Sequence, residues 1–207
     1  MKVIGISGSP RKQGNTARLV SYTLEKIKER GLDTEMIILP DKDIAGCRAC
    51  YSCATEKKCV IKDDFQEVFE KMVEADGILL GSPVYHASIT SELKALLDRA
   101  GFSGRWFGSE MKSESENYQW KGTAFSGKVA APITVARRTG QTFAFAQLLL
   151  WMTVNDLTVI GSNYWNIGVA GKGGAIDAED DEEGLNILDH LAENMTNVLE
   201  KLHTKEK

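Results

Sequence analysis

The sequence predicts an α/β protein in which a parallel sheet of five strands is covered by helices on both faces, and three observations carry that prediction. Strand-like apolar runs alternate with amphipathic stretches along most of the 207 residues, the pattern of a parallel sheet with crossover helices. The first strand runs through a loop of small hydroxyl residues straight into a helix. No linker divides the chain, whose length suits one domain over residues 1–207.

Taken in order, the first strand is 2–7, ending in Ser7. The helix at 15–30 has Leu19, Thr23, Ile27 and Arg30 at steps of three and four, with Gly31 as its stop. A second apolar run gives a strand at 34–39, followed by a cysteine-rich loop at 44–62 and a helix at 64–75. The third strand, 77–82, turns at Gly81-Ser82-Pro83 into a helix at 89–101. An unusually long connection at 103–127 carries Trp106, Phe107, Tyr118, Trp120 and Phe125; its aromatic content points to a lid or subunit contact rather than disorder. The fourth strand at 128–135, a helix at 139–153 and the fifth strand at 157–161 follow. The acidic run Asp177–Glu183 leads into a last helix at 184–203, with Leu185, Leu188, Leu191, Met195, Val198 and Leu202 on one stripe.

Composition narrows the function. Hydrophobic residues make up 43% and charged residues 26%, which excludes disordered and collagen-like classes. A net charge of −4 argues against a nucleic-acid partner, whose phosphates need clustered Lys and Arg. The longest apolar run, Phe143–Met152, is about half a bilayer span and is broken by Gln147, so no membrane partner is expected. The chain starts directly in a strand, without the features of a secretory signal, and the expected location is cytoplasmic, where thiols stay reduced.

The loop Ser7-Gly8-Ser9-Pro10-Arg11-Lys12-Gln13-Gly14-Asn15-Thr16 has the make-up of a phosphate cradle. A helix start offers unpaired N–H groups and the positive end of the dipole; Ser7, Ser9, Asn15 and Thr16 add donors, and Arg11 adds charge. Five residues separate Gly8 from Gly14, and Asn15 stands where a nucleoside-triphosphate loop has Lys. The dinucleotide fingerprint is missing as well, since Gly171-Lys172-Gly173-Gly174 follows no strand that opens a helix. A single terminal phosphate, as on FMN, fits best; the alternative is an ordinary capped turn. Beyond the third strand, Pro83-Val84-Tyr85-His86 offers an apolar face and backbone groups to a flat ring. After the fourth, Arg137-Arg138-Thr139-Gly140-Gln141 offers close backbone approach and cationic or amide donors.

All four cysteines, Cys47, Cys50, Cys53 and Cys59, lie within thirteen residues, with two, two and five residues between them. Compact runs of this kind hold [4Fe-4S] clusters. Structural zinc favours two Cys pairs across a longer spacer, disulfides are disfavoured in a reduced compartment, and free thiols are the main competing reading.

Together, Gly-Ser-Pro-Arg-Lys-x-Gly-Asn-Thr at 8–16, Gly-Ser-Pro-Val-Tyr-His at 81–86 with the following Leu-Lys-x-Leu-Leu-Asp-Arg, Arg-Arg-Thr-Gly-Gln at 137–141 and Gly-Ser-Asn-Tyr-Trp-Asn at 161–166 resemble the NADPH-dependent FMN reductases. The cysteine run is similar to that of their iron-sulfur flavoprotein branch. The resemblance implies a flavodoxin-like, three-layer, doubly wound sheet of five parallel strands in the order 2-1-3-4-5. It places the FMN phosphate at Ser9, Arg11, Asn15 and Thr16, with Ser7 and Gly14 as neighbours. Pro83, Val84, Tyr85 and His86 would flank the isoalloxazine, and Arg138, Thr139 and Gly140 would meet its edge. Cys47, Cys50, Cys53 and Cys59 would be the cluster ligands. The implied activity is an FMN-dependent oxidoreductase passing electrons from NAD(P)H or ferredoxin to a small acceptor or a protein, with no side-chain acid or base required. A homodimer or homotetramer is implied, with 103–127 as the expected subunit contact. The alternatives are a non-catalytic FMN electron carrier, a cluster-free quinone or metal reductase and a flavin-free ligand binder.

Overall fold

A computed structural model describes residues 1–107 and 122–204. In chain order it contains β1 (Lys2–Ser7), α1 (Asn15–Glu29), β2 (Asp33–Ile38), α2 (Ser52–Glu56), α3 (Phe65–Glu74), β3 (Gly77–Pro83), α4 (Ser91–Trp106), β4 (Val129–Ala136), α5 (Gln141–Val154), β5 (Thr158–Val159), β6 (Ile167–Val169) and α6 (Glu182–Thr204). The sheet is parallel throughout, in the order β2-β1-β3-β4-β5, with β6 also on β4. This is the doubly wound, flavodoxin-like order expected from the sequence.

Successive strand residues feed opposite layers, as the two-residue strand period requires. Ile4, Ile6, Ile78 and Leu80 pack with α3, α4 and α5, while Val3, Leu79, Ile133 and Val135 pack with α1 and α6. A Cβ on Gly81 would lie 2.4 Å from Cγ2 of Val20, so the bare glycine lets α1 sit close on the sheet. That close seat brings the start of α1 to the carboxyl ends of β1 and β3.

The fifth strand departs from expectation. Instead of one strand at 157–161, β5 pairs with Val129 and Ala130 and β6 with Thr134–Ala136. Pro132 is the cause. On β4 the groups facing this edge belong to alternate residues: Ile160 donates to the Ala130 carbonyl, Thr134 N–H donates to Asn166, and Ala170 donates to the Ala136 carbonyl. Pro132 falls in that series without an N–H to offer. Its carbonyl takes the Nδ2 amide of the buried Asn166 instead, at 3.1 Å, and the chain bulges outward over 161–166.

Of the long connection at 103–127, residues 103–106 extend α4 beyond its expected end at 101. Phe125 is wholly buried against Phe69 and Trp151, and its ring lies 2.7 Å from where a Cβ of Gly104 would stand. The lid or subunit contact expected there falls largely on 108–121, outside the described residues.

Candidate cofactor cleft and cysteine loop

The carboxyl ends of β1, β3 and β4 open into a cleft of about 660 Å³. One end is built by the β1–α1 loop. Gly8 N–H donates to the Gly81 carbonyl at 2.8 Å, and Thr90 Oγ1 donates to the Gly8 carbonyl at 2.7 Å while capping α4, so the loop is fastened to two neighbouring elements. Inside it, Ser7 Oγ accepts from Ser9 N–H and Ser9 Oγ accepts from Arg11 N–H, which leaves the Ser9 hydroxyl proton free to donate. Gly14 sits at the cap of α1 and no side chain caps the helix. The first-turn N–H groups therefore face the cleft with the dipole's positive end.

The second wall is the turn after β3. Val84 N–H donates to the Val135 carbonyl, and Tyr85 and Ser88 exchange both backbone hydrogen bonds at 2.9 Å around His86 and Ala87. Those two residues have φ of +48° and +61°, the left-handed conformations of a tight two-residue turn, which favour Asn-Gly and strain residues that carry a Cβ. Strain of this kind gathers at ligand walls. Replacing His86-Ala87 by Asn-Gly is expected to raise the unfolding free energy by about 1–2 kcal/mol; an unchanged melting temperature would show that the turn holds these residues without cost.

The predicted residues are brought together unevenly. Ser9, Arg11, Gly14, Asn15, Thr16, Pro83, Val84 and Tyr85 line the cleft. Ser7 is buried beneath its floor, and His86 lies at the tip of the turn, off the lining. From the β4–α5 loop it is Arg137 that reaches the cleft, whereas Arg138 and Thr139 do not line it and Gly140 packs against Val84 and Ala87. Asn15 differs most from expectation, because its amide donates to the Ile176 carbonyl at 2.6 Å.

That bond secures a wall the sequence reading passed over. Gly171, Gly173 and Gly174 line the cleft opposite the turn, all at positive φ, and a Cβ on Gly174 would stand 3.5 Å from Nη1 of Arg11. Arg18 holds the far end of this loop through Asp177 and Glu179. Three glycines in four residues were the available signal, set aside because they match no dinucleotide pattern.

The cysteine loop occupies a separate concavity, lined by all four cysteines together with Tyr51, Arg99 and Phe102. Its two ends are joined by Asp63. This buried carboxylate accepts from Ala45 N–H, Phe65 N–H and both terminal nitrogens of Arg99, the last at 2.5 and 3.0 Å. Tyr51 packs edge-on against Phe102 of α4 at 5.9 Å. Ala49, Tyr51 and Lys57 adopt positive φ, wrapping the backbone tightly between the cysteines. Burial pushes the Cys53 thiol up, and a hydrogen bond with Ser52 draws the Cys50 thiol down.

The profile of the NADPH-dependent FMN reductase family matches residues 1–172. The chain belongs to this family. Two full-length relatives carry the name iron-sulfur flavoprotein: one from Methanosarcina thermophila is 34% identical over 202 residues, covering 97% of this chain and 96% of its own. The other, from Methanocaldococcus jannaschii, is 37% identical over 204 residues, covering 96% and 97%. Among solved structures, RosB with a bound 8-demethyl-8-formylriboflavin-5'-phosphate intermediate superposes with a TM-score of 0.75 at 18% identity, covering all of this chain and 82% of that one. A flavodoxin from the domain Archaea gives 0.60 at 14% identity, covering 97% and 99%. These last two likenesses concern the fold.

As a member of the FMN reductase family, the protein is an FMN-dependent oxidoreductase. Its cleft fits that cofactor: an uncapped helix start with Arg11 beside it suits a terminal phosphate, and Val84 and Tyr85 provide an apolar, aromatic wall. The concavity gathers four thiols and a guanidinium donor around one apolar hollow, residue types that suit the chemistry of an iron-sulfur ligand set. Among the described residues no group of three or more His, Cys, Asp or Glu is set to hold one metal ion.

Proposed function

We propose that this FMN reductase family member takes electrons from NAD(P)H or ferredoxin and passes them to a small acceptor or a protein, with Cys47, Cys50, Cys53 and Cys59 holding a [4Fe-4S] cluster. The observation that carries this reading is the cleft itself, with a helix start at one end and an aromatic turn along its side. When bound, FMN supplies both hydride and single-electron chemistry. The first-turn N–H groups of α1, Ser9, Thr16 and Arg11 hold the phosphate, while Val84 and Tyr85 support the ring. Ser7, Gly14, Asn15, Pro83, His86, Arg138, Thr139 and Gly140 shape the surrounding loops. Arg137 adds positive charge to the cleft, which favours the more electron-rich state of a bound cofactor. Tyr85 is half exposed, so a soluble donor has access from this side.

Assembly into a homodimer or homotetramer is supported by α5, where Phe143, Leu150 and Val154 are 69%, 68% and 60% exposed. For the redox centres, anaerobic purification followed by visible spectroscopy and iron and sulfide analysis is the test. The expected result is one FMN and about four irons per chain, with bleaching by NADPH or by reduced ferredoxin identifying the donor. A colourless protein that takes up no FMN would overturn the cleft assignment, and flavin without iron would remove the cluster.

A further inference from the structure

We infer that Arg99 is a positioning residue for the cysteine site, fixing Cys59 and raising the reduction potential of the cluster there; this rests on the cluster reading above. Arg99 comes from α4, outside the cysteine loop, and is 1% exposed. Its planar fork is held from several directions: by Asp63, by the carbonyls of Ala45 at 3.0 Å and Ile61 at 3.4 Å, and by the face of Phe65, 4.1 Å from the guanidinium carbon. So held, it directs Nη2 at the Cys59 sulfur, 3.2 Å away.

Cys59 is the cysteine that needs such a fixed partner. Cys47, Cys50 and Cys53 follow one another at short spacing, whereas Cys59 lies past α2 and past Lys57 with its left-handed backbone. A buried ion pair is also a poor way to gain stability, since apolar side chains of similar volume usually do as well or better. Its location in the wall of the cysteine hollow gives it a further use. An N–H directed at a ligand sulfur and a nearby positive charge both favour the more negative, reduced state of an iron-sulfur centre. The Arg99 Nε is buried and bonded to no protein atom, an additional donor within the residue that lines the hollow.

The test compares anaerobically purified wild type with Arg99→Lys and with the double variant Arg99→Met/Asp63→Asn, which removes both charges together. FMN content reports whether the fold stands; iron, sulfide and an EPR-monitored titration report on the cluster. The double variant is expected to keep FMN and to be at least tenfold harder to reduce, a downward shift of about 59 mV for one electron. Arg99→Lys, which keeps the charge but not the fork, is expected to shift less. Loss of iron with FMN retained in Arg99→Lys, where Asp63 still joins the two ends of the loop, would also support the role in fixing Cys59. Wild-type iron content and potential in the double variant would overturn the inference alone, whereas wild type without iron would overturn the cluster reading and this inference with it.

Discussion

Exchange of Asp63 for Asn is expected to lower the unfolding free energy by about 3–5 kcal/mol, the cost of leaving a buried charge without its partner. Arg99 would retain the carbonyls of Ala45 and Ile61 but lose both carboxylate contacts. The loop would also lose an anion that joins its two ends through Ala45 and Phe65. Urea or thermal unfolding measures the effect, and the double variant Asp63→Asn/Arg99→Met should recover most of it, because the desolvation of both ions is removed. A loss below about 1 kcal/mol, in the range of ordinary substitutions, would show that water reaches Arg99.

The same pair gives stability a defined acid limb. Burial pushes the Asp63 carboxyl upward, but the Arg99 guanidinium and the N–H groups of Ala45 and Phe65 outweigh it and hold the group below its usual value. With the folded pKa beneath the unfolded one of about 3.9, the contribution is complete above that pH and fades as pH falls through the folded value. Asp63→Asn should flatten this acid limb.

Removing Arg11 and Asn15 together by substitution with Ala is expected to weaken FMN binding by at least about 10- to 10²-fold, since the charge-assisted bond from Arg11 contributes on the order of 1.5–3 kcal/mol. Recovery of flavin fluorescence on dialysis measures the release. The two residues act differently. Arg11 stands beside Gly174 at the cleft, whereas Asn15 spends its amide on Ile176, so Asn15→Ala alone should act by loosening the 171–176 loop and cost less than Arg11→Ala. A double variant that keeps its flavin through dialysis would place the phosphate elsewhere.

The fold was legible because its signals are local. Each strand and helix carries its own period, and the order of the loops at 7–16, 83–86 and 137–141 already points to one end of the sheet. What escaped was set by distant partners. Pro132 divides the edge strand only because its missing N–H faces that edge, which depends on register. Arg99 is an isolated charge on an otherwise apolar helix face, a signal in hindsight, but its meaning requires Asp63, 36 residues away. The 171–174 wall was hidden for a similar reason, since only folding brings Gly174 beside Arg11.

The division at Pro132 also bears on how the protein behaves at high concentration. A long row of unpaired peptide groups at a sheet border invites another chain to add a strand and start aggregation. Here that border offers runs of only two and three residues, with Tyr164 and Trp165 on the bulge between them. The opposite border, β2, is six residues long but bears Asp33 and Glu35, the latter paired with Lys2 and Lys71. Both flanks of the sheet are thereby poor templates for fibril growth, one through interruption and the other through charge.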